Sequence, residues 1–478
     1  MDTTKSKDKS RLLLVSILLM GTFLCNLNQT LLNVALPEIM RDFSITASQG
    51  QWVSTGYMLV SGLMIPTTAF LIERFKTRSL YLFSISLFLI GSFIAGFSPN
   101  FTLLLIGRMV QAIGAGVVMP LMTVTLMNVY PANKLGSILG IIGIAMNFAP
   151  GLGPTLSGWV IQNYHWRFLF YGLVPFTIIN LVLAIFFLKN IGKQKMLKFN
   201  FLGVVLSSIG LGSLLLGFSN AGDASWLSFN VLGAVIFGLL IIGVFIKQQL
   251  SKQQPMLDFR VFKNPQYTTL TLINFIIMMS LYGGMLLLPM FLQDVRDLSP
   301  FTSGIIMLPG AFLMAILSPL SGRLFDKYGA KPISLIGIVI LVIGTFMFTL
   351  LNLQTSINFA IIAQSIRSIG LVLIMMPLQA EALKALPLSI VAHGTAMFQT
   401  TRQIAGSIGT SLLITIMSTA SSMYEKHNFS PGTTLLASDQ KDILLFGIQI
   451  SYIVTTILCV IALFMTIMMK TSNKVKKL

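Results

Sequence analysis

Apolar residues run through this chain in long blocks separated by short polar stretches, from residue 12 to residue 469. A block of roughly 18 residues or more is long enough to cross a bilayer as a helix. The blocks predict fourteen spans, at 12–34, 50–72, 79–98, 102–124, 135–161, 167–188, 201–218, 231–247, 267–292, 302–322, 333–351, 357–379, 396–418 and 445–469. In hydrocarbon each backbone polar group must be bonded within its own segment, so helices are the expected form. The first block runs past the length of a signal peptide and lacks a small-residue cleavage site, so it reads as a retained span. The fold class expected is an all-α polytopic membrane protein.

Two cations break the apolar pattern. Arg108 lies in the run from Phe101 to Pro120, and Arg367 in the run from Phe359 to Pro377. A charge at that depth costs at least ~2.5–3.5 kcal/mol, which makes function the default reading. A Met-Pro-Leu follows each, at Met119–Leu121 and Met376–Leu378. The segments Ala69–Arg78 and Gly322–Lys331, which end spans 2 and 10, resemble one another at nearly the same separation. Both repeats argue for two six-span halves, 12–188 and 267–469, joined by a linker, 189–266, that carries a hairpin of two further spans. Residues 1–11 and 470–478 are the terminal tails. Within the linker, Lys252–Lys263 has the make-up of a short amphipathic helix on the membrane surface. The polar stretch 421–443 reads as a long mobile loop.

Only 10% of the 478 residues are charged, against about 25% in an average soluble protein. The net charge of +18 is one-sided. Numbered from a cytoplasmic N-terminus, Arg41, Arg167, Arg296, Lys426 and Lys441 fall outside, Arg108, Arg367 and Arg402 fall within or at the edge of spans, and every other Lys and Arg falls inside. That asymmetry predicts that both termini are cytoplasmic, and it makes the basicity a matter of topology rather than of nucleic-acid binding. Cys25 and Cys459 both sit in apolar spans, so no structural disulfide is expected. His165, His393 and His427 fall at span ends and read as ordinary. There is no metal cluster, nucleophile elbow or phosphate loop, so the chain reads as neither an enzyme nor an ATP-driven pump, and no cofactor or metal is expected.

Three constellations carry chemistry. At the inner ends of spans 2 and 10, Glu73, Arg74 and Arg78 and then Gly322, Asp326, Lys327, Gly329 and Lys331 place an acid among bases at a tight turn. Such an acid can pair with cations or with a helix N-terminus and latch a closed state of the halves. In span 5, Asn147, Pro150, Gly151, Gly153, Pro154 and Gly158 predict a bent, smooth helix that slides against a partner. Around Arg108, Asn28, Asn33 and Gln111 are available polar partners, and Gln364 is available to Arg367.

The span 5 motif resembles the antiporter signature of the major facilitator superfamily. The 69–78 and 322–331 segments resemble its loop signature, and Arg108–Gly116 its span 4 signature. Leu27–Pro37, Gln51–Tyr57 and Gly394–Gly406 resemble motifs of the fourteen-span drug:proton antiporter subfamily, and the likeness is greatest to the lincomycin-resistance type of Gram-positive bacteria. The resemblance implies the major facilitator fold, a bacterial cytoplasmic membrane location, and proton-driven antiport of amphipathic drugs by a monomer that needs lipid, substrate and protons as its only partners. Several positions depart from the pattern. Asn28 stands where many members of the subfamily carry Asp, and Ala69, Glu73 and Lys76 weaken the first loop copy.

With Asn28 uncharged, none of the chain's acids falls at mid-membrane. The proton-coupling candidates are then Glu38 and Asp42 after span 1, and Asp294 and Asp297 after span 9. Arg108, without an acid at its depth, becomes either a cargo or coupling residue or a brace between helices. Arg367 reads as its structural echo. An acid-poor cavity would tilt toward neutral or anionic cargo. Export of an endogenous lipid, peptide or nucleotide stands as an alternative, as does a membrane sensor that moves nothing.

Overall fold

A computed structural model describes residues 2–45, 47–130, 135–191, 200–220, 228–429 and 436–469. The side chains of 2–11, 33, 47, 48, 51, 135, 147, 150, 219, 220 and 388 lie outside the described residues. So do the C-terminal tail, much of the 189–200 linker, and the side chains of Asn33, Asn147 and Pro150 named above.

The described residues form fourteen long helices and no strands. They are α1 (Asp2–Phe43), α2 (Ala47–Arg74), α3 (Thr77–Gly96), α4 (Phe101–Val129), α5 (Leu135–Asn163), α6 (Phe168–Phe187) and α7 (Phe201–Asn220). There follow α8 (Phe229–Leu250), α9 (Pro265–Met290), α10 (Pro300–Tyr328), α11 (Ala330–Met347), α12 (Ile357–Lys384), α13 (Val391–Asn428) and α14 (Ala437–Met468). All fourteen contain a stretch long and apolar enough to cross a membrane. Local chemistry marks several starts: Asn100 caps α4 by accepting from Leu103 N, Asn264 caps α9 ahead of Pro265, and Ser299 caps α10 ahead of Pro300.

Three expectations change. Helices α1, α13 and α14 run well beyond their apolar blocks, because backbone bonding continues through the polar residues that end a hydropathy window. The stretch 421–443 is accordingly mostly helix: α13 reaches Asn428 and α14 begins at Ala437, where the Asp439 carboxylate accepts from Leu436 N at 2.9 Å. The segment 252–263 is no surface helix. It ends in a single 3-10 turn, Phe259–Lys263, with Met256, Leu257 and Val261 buried against protein. Gln249 Oε1 holds it by accepting from Met256 N at 2.8 Å.

Bulky apolar side chains face outward, as at Phe186, Phe229 and Met468, while small and polar ones face helix seams. Lipid tails are as apolar as leucine, so close packing of small residues, not hydrophobic burial, joins such helices. Helices α5 and α10 show this along their length. Gly140 meets Ser318 and Pro319, Gly151 meets Ala311, and a methyl at Gly158 would stand 3.0 Å from the Phe301 Cα. On the other side of the molecule α13 lies against α2, where Gln403 Nε2 donates to the Met58 carbonyl at 3.3 Å. The α7–α8 hairpin covers that seam, with Leu215 beside Gly62 and the Ser411 hydroxyl donating to the Phe218 carbonyl.

Candidate functional site

Arg108 is 1% exposed on α4, and its surroundings come from four helices. Its Nε donates to the Val53 carbonyl of α2 at 3.2 Å, and its Nη1 to Gln111 Oε1 at 3.0 Å. Spacing on α4 makes the second bond possible, because residues three apart share a helix face. Gln111 Oε1 also accepts from Asn28 Nδ2 of α1 at 3.2 Å, and Gln111 Nε2 donates to the Ser92 hydroxyl of α3 at 2.7 Å. The guanidinium stacks over the Tyr57 ring, 4.2 Å from its centroid. Tyr57 in turn donates to the Cys25 carbonyl at 3.2 Å. Among the described residues no carboxylate pairs with Arg108, and its buried Nη2 has no hydrogen-bond partner. The cation is held by oxygen dipoles and a ring face.

A cleft enclosing about 480 Å³ of empty space, part of it open to solvent, lies between α1, α2, α4 and α13. Its wall includes Thr22, Asn26 and Gln29, then Tyr57 and Ser61, then Met119 and Pro120, and finally Gln399 and Gln403. Arg108 is not in that wall; Tyr57 stands between it and the cavity. Sequence reading singled out the arginine and passed over the glutamines of α13, whose neighbours lie hundreds of residues away in the chain.

Arg367 on α12 is as deeply buried and less well served. Its Nη2 donates to the Ser280 carbonyl of α9 at 2.9 Å, its Nε has no partner among the described residues, and Gly284 and Gly344 press against it. Gln364 lies one turn earlier, beside Gly310 of α10.

The acids of the two loop motifs both cross between the first six helices and the last six. Asp326 of α10 accepts from Gly136 N and Ser137 N of α5, each at 2.8 Å, and from the Ser137 hydroxyl at 2.6 Å. A carboxylate there satisfies orphan amides and meets the positive end of the α5 dipole. Gly322 lets the helices touch, since any side chain would strike the Gly136 carbonyl. Glu73 of α2 lies 3.8 Å from His393 Nε2 of α13, both nearly buried. His393, read as ordinary from the sequence, is thus the partner of the first-copy acid. Of the bases of the motifs, Arg78 and Lys331 bond within their own half. Arg78 donates to the Ile185 carbonyl, Lys331 to the Met469 carbonyl at 2.8 Å, Lys327 lies over the Tyr328 ring, and Arg74 ends α2. Gly329, at φ 81°, ends α10 in the left-handed region.

In α5, which continues unbroken past Pro150 and Pro154, Gly153 packs on Thr30 of α1. At the far end of the bundle, Asp42 accepts from Trp166 Nε1 at 3.0 Å and Arg167 Nη1 at 2.9 Å. Partial burial pushes its carboxyl up, but the hydrogen bonds from Trp166 and Arg167 and the Arg167 charge outweigh this and hold it below the usual carboxylate range. Asp297 pairs with Lys441, and Asp294 is exposed. Glu38 keeps Oε2 buried without a partner among the described residues.

Comparison with known proteins places this geometry. The sequence pattern described as Major Facilitator Superfamily matches residues 18–410. The MFS-type transporter YhcA of Bacillus subtilis is 46% identical over 87% of this chain and 78% of its own length. The lincomycin resistance protein LmrB of Listeria monocytogenes is 35% identical over 96% of each chain. Among solved structures, the human organic anion transporter MFSD10 superposes with a TM-score of 0.69 over 96% of this chain and 99% of that one, at 14% identity.

Proposed function

We infer the function from a plain premise: the chain belongs to the major facilitator superfamily of membrane transporters. We propose that it is a proton-driven exporter of amphipathic drugs and antibiotics in a bacterial cytoplasmic membrane, working as a monomer with both termini cytoplasmic. Helices α1–α6 and α9–α14, which carry the segments 12–188 and 267–469, act as two halves that rock about the cavity between α1, α2, α4 and α13. The observation that carries this reading is the Asp326 carboxylate seated on the N-terminus of α5. It joins the halves at the basic end by a few hydrogen bonds that can be made and broken, beside helices whose glycine seam tolerates sliding.

Arg108 serves as the coupling residue behind the cavity. Its shared acceptor, Gln111 Oε1, ties α4 to α1, so a change in its bonding is felt by both. Glu38 is the leading proton carrier, since its buried oxygen lacks a donor among the described residues, whereas Asp42 and Asp297 are held in ion pairs. The names of the relatives, lincomycin and multidrug resistance proteins, support drug cargo.

The test is transport in sealed proteoliposomes with an imposed pH gradient. Gradient-dependent movement of a drug, abolished by a protonophore and by Glu38→Gln, is the expected result. Drug flux that ignores the gradient would remove proton coupling, and no flux with any cargo would leave a sensor.

A further inference from the structure

The cavity wall differs in kind from a site built for a cation. On its α13 side Gln399 is 4% exposed, and its Nε2 is buried without a hydrogen-bond partner among the described residues. A buried amide N–H left unmade costs about 1–3 kcal/mol, so an acceptor oxygen arriving there is rewarded. The neighbouring polar groups face the opposite way in their bonding. Asn26 Nδ2 donates to the Thr22 carbonyl at 2.9 Å, Gln403 Nε2 to the Met58 carbonyl at 3.3 Å, and the Ser61 hydroxyl to the Met58 carbonyl at 3.0 Å. Each of these groups already spends one donor on a backbone carbonyl, and their side-chain oxygens remain as acceptors. Among the described residues of the wall, Gln399 Nε2 is the buried amide nitrogen without a partner, set near several acceptor oxygens and beside Met119 and Pro120.

The charge around this wall is positive. Tyr57 belongs to the wall, and Arg108 is stacked on its ring, 4.2 Å from the centroid. A cation already on the ring opposes a second one, because both draw on the same negative quadrupole. Among the described residues the wall contains no carboxylate, and Glu38 and Glu73 lie roughly two helical turns or more beyond it on α1 and α2. A desolvated cation entering here would find dipoles and the Arg108 charge behind Tyr57 but no counter-ion, which is costly.

We propose that this cavity takes uncharged amphiphiles rich in hydroxyl, amide or carbonyl groups, that a cargo oxygen lands on Gln399 Nε2, and that permanently cationic amphiphiles are rejected. The proposal rests on the exporter reading for its meaning in the cell, but its test is made at equilibrium without any gradient. Purified full-length protein in lipid nanodiscs is titrated with radiolabelled chloramphenicol, a neutral amide diol, and with tetraphenylphosphonium, a permanent cation of comparable bulk. Wild type binds chloramphenicol saturably and at least about tenfold more tightly than the cation. Gln399→Leu weakens chloramphenicol about tenfold, the loss of one buried hydrogen bond. Gln399→Glu brings a counter-ion to the wall and reverses the preference, an outcome that decides the matter even if the leucine variant does not fold. Equal or tighter binding of tetraphenylphosphonium by wild type, no saturable chloramphenicol binding, or unchanged preference in Gln399→Glu would overturn the proposal. A protein that binds by this pattern yet moves nothing under a pH gradient would instead overturn the exporter reading alone.

Discussion

In the first half of the molecule Arg108 is followed three residues on by Gln111; in the second, Arg367 is followed at the same interval by Gly370. That difference goes with two unlike surroundings. Gln111 receives Arg108, receives Asn28 from α1 and reaches Ser92 on α3, so the arginine is wired into three neighbouring helices and stacked behind a wall of the cavity. Gly370 offers nothing to Arg367. It lets α11 and α12 close until Leu341 and Gly337 sit on its backbone; the guanidinium donates to the Ser280 carbonyl and lies against Gly284, while Gly344 packs on the Arg367 backbone. Both segments carry the cation, but among the described residues only Arg108 sits in a side-chain network that reaches its neighbouring helices. On the function proposed above, the first arginine couples and the second braces.

The largest effects test that assignment directly. Arg108→Ala should lower turnover per folded molecule at least tenfold while protein persists in the membrane. Arg367→Ala should instead lower yield and melting temperature, with most turnover retained by molecules that fold. Equal loss of turnover in both would dissolve the distinction. Gly370→Gln would probe the converse, since the added side chain must displace α11 and should destabilise rather than restore a network.

Nearly as large is the effect expected at the α5 seam. Gly153→Leu drives a branched side chain into Thr30, and Gly158→Leu drives one into Phe301, so both should halt turnover with binding intact. Normal transport by Gly153→Leu would show that α5 does not slide on α1.

The two latches should differ as well. Asp326→Asn gives up charge-assisted bonds to two backbone amides and should weaken the closed basic end by ~1–3 kcal/mol. Glu73→Gln removes a longer contact to His393 and should do less. Labelling of a single cysteine placed in the cleft, from the basic side, would rank them; a larger effect at Glu73 would reverse the ordering.

The smallest effect lies at the opposite end. Asp42→Asn removes a partly exposed ion pair and should cost under ~1 kcal/mol near neutrality. Because the folded carboxyl titrates below its unfolded value of ~3.9, the pair's contribution is present above that pH and fades as pH falls through the folded value. Melting curves of the variant and the wild type should converge in acid; a gap that widens instead would mean the pair does not hold Asp42 ionised.

Much of this was legible in the chain itself. Fourteen apolar blocks became fourteen helices because a spanning helix satisfies its own backbone and so depends mainly on local composition. The acid at 326 was readable as a helix-end ligand because a carboxylate beside a glycine at a turn has few other uses. The helix ends were less legible, since α13 and α14 extend through polar residues where hydropathy is silent but backbone bonding is not.

Sequence by itself determined the number of spans, the presence of two repeated halves' motifs and the depth of the two arginines. These follow from short-range pattern and from the cost of charge in hydrocarbon. Only the tertiary structure decided that Arg108 stands behind Tyr57 rather than in the cavity, that His393 faces Glu73, and that Gln399 carries an unmade bond in the cavity wall. Those facts join helices hundreds of residues apart, and side-chain pairing across such seams is set by how the helices pack, which no local pattern encodes.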